Sequence, residues 1–197
     1  MSNNASADDR TYTLLKWIAI ASAVMLVAYL GYDHFRTMGP GDIKYVDGSN
    51  LFEDRHYDRA ARYFKEALAE KPDHVSALRG LANANVQLKR LPEALAAINA
   101  AIDIEPNEAC NIATRGIIND HMGEHDKAIA DYERAIAGCP EATEGMHWLD
   151  RLLYNVHERP PTVVQRLAYL KAQMKLPESQ RVLRMPDIDD QQLPYER

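Results

Sequence analysis

No Cys-Xaa-Xaa-Cys pair, no haem-attachment motif and no His-Glu-Xaa-Xaa-His occurs in the 197 residues. The ligand spacings that metal and haem sites need are therefore missing. Glycine-rich phosphate loops and a nucleophile elbow are missing too, so the motifs that carry phosphoryl and acyl transfer are absent. Seven histidines remain. His121 and His125 lie four apart, but Gly123 between them marks a turn, so they do not share one helical face. The sequence predicts no enzyme, no cofactor and no metal. Basic charge is also short. The net charge is −6, and a nucleic-acid binder would show a basic patch. Collagen-like and long low-complexity stretches are absent.

What is present is a period. Pro72, Pro106 and Pro140 are 34 residues apart. So are Ala60, Ala94 and Ala128; Phe64, Ile98 and Tyr132; and Ala67, Ala101 and Ala135. A fixed period of this length means a stack of helix pairs. Ala60 and Phe64 lie four apart and share a helix face. The small residue lets two helices approach and the large one fills the space beside it. Gly48, Ala82 and Gly116 form a further column of small residues in the first helix of each pair. Glycine inside a helix costs roughly 1 kcal/mol against alanine, so close crossing is the reason for it. The prolines end each preceding helix. One pair cannot bury its apolar face alone, whereas stacked neighbours can.

These columns resemble the tetratricopeptide repeat family, over about half of the chain. The resemblance implies an all-α solenoid of three helix pairs, expected at residues 42–54 with 57–71, 75–88 with 91–104, and 109–122 with 125–138. It also implies protein binding as the role.

Ahead of the repeats, residues 1–13 read as a polar tail, disordered through Arg10. Residues 14–32, LLKWIAIASAVMLVAYLGY, carry one charge, Lys16. Nineteen residues cover about 28 Å as a helix, close to a bilayer core. Trp17 and Tyr29 or Tyr32 sit near its edges, as interfacial aromatics do. A single transmembrane anchor is favoured. A cleaved signal peptide would need its small-residue site near Ala21 and Ala23, too early in the run. A buried soluble helix would be apolar all round. Residues 33–41 read as a linker through Gly39, Pro40 and Gly41, with Asp42 capping the first repeat helix. The α-amino group, Arg10 and Lys16 precede the anchor, and Arg36 and Lys44 come after it. That slight excess puts the amino end in the cytoplasm. The repeats then lie in a bacterial periplasm, outside the inner membrane.

Beyond Pro140 the period weakens. Met146, Leu149 and Leu153 continue a first-helix pattern, and Pro160 and Pro161 interrupt the second helix near its expected start. Arg166 stands in the large apolar column. Val163, Leu167 and Leu170 still share one face of a helix over 162–176. Residues 141–183 thus read as a degenerate capping pair, with Pro177 opening a short last helix through Val182 and Leu183. Residues 184–197 are either a frayed tail or a strap packed on the body or a partner.

In arrays of this kind the first helices line a concave wall. The resemblance carries its inward positions to Tyr45, Ser49 and Phe52; to Arg79, Asn83 and Val86; to Ala113, Ile117 and Asp120; and to His147, Arg151 and Tyr154 in the capping helix. Arg79 with Asn83 resembles half of the carboxylate clamp of chaperone-binding repeats, since a guanidinium and an amide both donate to a carboxylate. The rest departs from that clamp: Thr114 stands where a second Asn would be and Cys110 where a Lys would be. The alternative is a solvated polar pair on an empty groove. Tyr45 and Phe52 serve equally as core residues.

Cys110 opens the first helix of the third pair and Cys139 closes the second. An antiparallel pair brings its start and its end together, so a disulfide fits, though two buried thiols fit as well. Two functional readings remain. One is a membrane-anchored scaffold or assembly factor that grips a peptide or helix, for instance from unassembled subunits of a membrane complex. The other is a structural accessory subunit of such a complex, with the bilayer as its second partner.

Overall fold

The computed structural model describes residues 3–144 and 162–184. The chain divides between Gly39 and Pro40 into two units.

The first unit is one helix, α1 (Asn3–Thr37). Within it Thr11–Tyr32 is long and apolar enough to cross a membrane, and none of that span is buried. The helix overruns the expected anchor at both ends, from Asn3 to Thr37. Once the apolar segment has nucleated a helix, each added residue gains a hydrogen bond, and nothing before Gly39-Pro40 breaks the run.

The second unit begins with three antiparallel pairs: α2 (Asp42–Glu53) with α3 (Tyr57–Glu70), α4 (Val75–Gln87) with α5 (Leu91–Ile104), and α6 (Ala109–His121) with α7 (His125–Ile136). These fall on the expected spans to within two residues. Gly41, not Asp42, takes the N-cap position of α2, at φ 83°. Its N–H donates to Glu70 Oε2 at 2.8 Å. Asp42 instead lies 3.0 Å from His74 Nε2. The left-handed cap needs glycine, and a Cβ there would meet the Ala67 carbonyl oxygen at 2.7 Å.

The repeat columns form the core. Ala60, Ala94, Ala128, Ala67, Ala101 and Ala135 are fully enclosed, as are the larger Phe64, Ile98 and Tyr132. Phe64 is held between two glycines. A Cβ on Gly48 of its own pair would come within 2.8 Å of the ring, and one on Gly80 of the next pair within 2.5 Å. Gly116 stands against Tyr132 at 2.7 Å in the same way. The glycine column thus has the packing purpose expected of it.

Each pair turns through a left-handed residue: Arg55 at φ 61°, Lys89 at 58° and Gly123 at 81°. Their spacing is again 34 residues. At each turn the next N–H reaches back into the last turn of the first helix: His56 to Leu51, Arg90 to Asn85, Glu124 to Asn119. These bonds satisfy end carbonyls that the helix cannot.

Cys110 and Cys139 form a disulfide, with a Cα separation of 5.1 Å. It ties the start of α6 to the end of α7. A short α8 (Pro140–Glu144) comes next, and α9 (Val163–Met174) caps the array. Thr162 and Gln165 close a reciprocal capping box at its start. Val163, Leu167 and Leu170 bury one face. This helix packs directly on α7. It closes the stack as α4 closes on α3 and α6 on α5. Pro177 starts only a 3-10 turn, Glu178–Gln180, not a helix through Val182 and Leu183. The chain then runs extended along α9, because α9 side chains take up its backbone groups. The Tyr169 hydroxyl donates to the Val182 carbonyl at 2.5 Å. The Val182 N–H donates to Gln173 Oε1 at 2.9 Å.

Candidate binding groove

Helices α2 and α4 stand side by side and frame a cavity of about 130 Å³. Tyr45, Ser49 and Phe52 reach it from α2, and Arg79 and Asn83 from α4. Of the six inward positions expected over the first two pairs, all but Val86 line this cavity. Phe64 forms the floor, with its ring 6.0 Å from that of Tyr45. Tyr45 also packs on His74 at 5.2 Å, and Phe52 meets Tyr57 edge-on at 5.2 Å. Both aromatics are only half-buried. They serve core and cavity together.

Arg79 carries the sharpest chemistry. Its Nε is buried and has no hydrogen-bond partner. A guanidinium donor in that state is set to receive an acceptor. Asn83 is 2% exposed beside it.

Sequence reasoning missed four lining residues: Glu53, Ser76, Gly80 and Phe64, the last read only as core. Glu53, the last residue of α2, is exposed and adds an acidic residue to the cavity lining. Gly80 was legible only as one more glycine, since its role is to admit Phe64.

The wall does not continue as expected. Val86 is buried, and Ile117 and Ala113 are fully enclosed. Asp120 is buried as well and belongs to a different structure. It accepts from Arg166 at 2.6 Å and from the Tyr132 hydroxyl at 3.3 Å, and lies 2.9 Å from His125 Nδ1. The reason is α9, which places Arg166 over the third pair. Val86, Ile117 and Asp120 are buried and do not line the cavity. Cys110 is committed to its disulfide, and Thr114 is fully enclosed. His147, Arg151 and Tyr154 lie outside the described residues. On the far side of α6, Arg115 donates twice to Asp131, and that hydrogen bonding holds its guanidinium above the ordinary arginine range.

Residues 45–109 and 113–137 match the tetratricopeptide repeat. The chain is similar to Hsp70-Hsp90 organizing protein 3 of Arabidopsis thaliana, 26% identical over 71% of this chain and 25% of the relative. It is similar to Hsp70-Hsp90 organizing protein 1 of Glycine max to the same extent, 26% over 71% and 25%. It therefore spans about a quarter of the length of these relatives. Among solved structures it is similar to the first TPR of Spaghetti (RPAP3) bound to the HSP90 peptide SRMEEVD, at 19% identity and a TM-score of 0.49, over 66% of this chain and 94% of that one. The helix pairs of this chain are tetratricopeptide repeats.

Proposed function

We propose that this chain is a membrane-anchored scaffold or assembly factor that holds a protein or peptide in the groove between α2 and α4. The observation that carries the reading is the convergence of Tyr45, Ser49, Phe52, Arg79 and Asn83 on one cavity, with the Arg79 Nε unpartnered. A buried donor without an acceptor costs about 1–3 kcal/mol, which a bound acceptor would remove. The relatives are named as organisers of Hsp70 and Hsp90, and that kinship supports protein binding without catalysis. The exposed apolar α1 supports insertion in a bilayer as a single pass. The disulfide supports an oxidising compartment for the repeats, in keeping with a periplasmic placement from the inner membrane.

A second reading makes the chain an accessory subunit of a membrane complex, contacted through α1. It is favoured by the side chains of α1, where Val24 is 62% and Met25 72% exposed. One experiment separates the two. A photo-reactive residue replaces Tyr45, Arg79 or Val24 in turn in intact membranes, with mass spectrometry as the readout. Partner cross-links from Tyr45 and Arg79 support the groove; cross-links from Val24 alone overturn it in favour of the accessory subunit. A phosphatase fused to the C-terminus tests orientation, and an inactive fusion overturns the periplasmic placement.

A further inference from the structure

We infer that the groove recognises an apolar side chain flanked by one acidic and one basic residue, the acidic one toward Arg79 and the basic one toward Glu53. The inference rests on the groove reading above and adds the ligand's chemistry to it. Arg79 and Glu53 line the same cavity, yet no hydrogen bond or ion pair joins them among the described residues. Glu53 is exposed and Arg79 half-buried, with its Nε enclosed and unpartnered. The rings of Tyr45, Phe52 and Phe64 line the same cavity and give it an apolar share. About 130 Å³ takes one aliphatic side chain, not an extended apolar surface.

The two charges decide what surrounds that side chain. A ligand with one carboxylate gains at Arg79. A second carboxylate on the other flank meets Glu53 and loses part of that gain, since like charges brought together across an interface are penalised. A basic residue on that flank gains instead. Side chains i, i+2 and i+4 of an extended segment share one face. The fitting pattern is therefore acidic-Xaa-apolar-Xaa-basic, in whichever chain direction the segment runs. Glu53 is then the residue that sets specificity, and it rejects doubly acidic segments.

The test uses the full chain in detergent micelles and three fluorescein-labelled peptides with amidated ends. They are Gly-Asp-Gly-Leu-Gly-Lys-Gly, the same with Asp and Lys exchanged, and a version with Asp at both places. Fluorescence polarisation gives the Kd of each. The better mixed-charge peptide is expected to bind at least about threefold more tightly than the doubly acidic one, the size of effect an exposed charge exerts. Glu53→Gln should erase that preference, and Arg79→Glu with Glu53→Arg should favour the opposite chain order. Equal binding of the doubly acidic peptide, or a preference that survives Glu53→Gln, overturns the inference. The groove reading still stands in that case if Arg79→Glu weakens all three peptides. No binding of any peptide, with helical circular dichroism intact, overturns both.

Discussion

Arg166 donates twice to Asp120, from Nε at 2.6 Å and from Nη2 at 3.1 Å, across 46 residues of chain. Both side chains are almost wholly enclosed. The same guanidinium donates to the Leu183 carbonyl at 2.8 Å, so it joins the third pair, α9 and the extended segment after the 3-10 turn. Asp120→Ala strands that charge and should cost about 3–5 kcal/mol. Exchanging both partners for apolar residues, Asp120→Leu with Arg166→Met, should recover much of the loss, because no buried charge is left alone. Urea unfolding of the three proteins checks this. An Asp120→Ala midpoint equal to that of the unaltered chain refutes it.

Gly80→Ala drives a methyl group into the Phe64 ring and should cost about 1–3 kcal/mol through overpacking. Pairing it with Phe64→Leu, which removes ring atoms at the contact, should return part of that loss. Thermal melts of the single and double variants give the coupling. Additive losses would mean that the two positions do not touch.

The left-handed turns predict opposite signs at equivalent positions. Arg55→Gly relieves a side chain at φ 61° and should stabilise by about 0.5 kcal/mol after the entropy cost of glycine. Gly123→Ala imposes the strain and should destabilise by about 1 kcal/mol, although open space surrounds that Cα. Denaturant midpoints read both.

Thr114 is fully enclosed, and its hydroxyl has no hydrogen-bond partner. Thr114→Val keeps the shape and removes the stranded oxygen. It should stabilise by about 1 kcal/mol, the lower part of the range for an unsatisfied buried group. A destabilised variant in calorimetry would show that the hydroxyl is satisfied after all.

Most of the fold was legible because the repeat states its packing twice over, in small residues and in large ones. Gly48 and Phe64 lie sixteen residues apart, and the 34-residue columns alone put them on facing helices. The turn column was harder to see. Arg55, Lys89 and Gly123 share a backbone conformation but no side-chain type, since the turn hydrogen bonds force the left-handed angle on whichever residue stands there. Over the first two pairs, five of the six expected inward positions line one cavity, and Val86 is buried instead. Asp120 was misread because its surroundings come from Arg166, a charged residue in the column that holds Phe64, Ile98 and Tyr132, and the period alone does not say what that charge pairs with. Likewise Pro177 signals a helix start, but whether the helix goes on depends on α9 side chains offering better partners to the backbone at Val182.

The disulfide has a mechanical consequence. Cys110 and Cys139 are 29 residues apart in sequence and 5.1 Å apart in space. When the chain is pulled from its two ends, force passes through the sulfur bridge and bypasses everything between them. At about 3.4 Å per extended residue, roughly 90 Å of chain is withheld from stretching. The third pair then stays a loop of fixed contour while the first two unspool like cord. A single-molecule stretching trace should lengthen by that increment once a reductant is added.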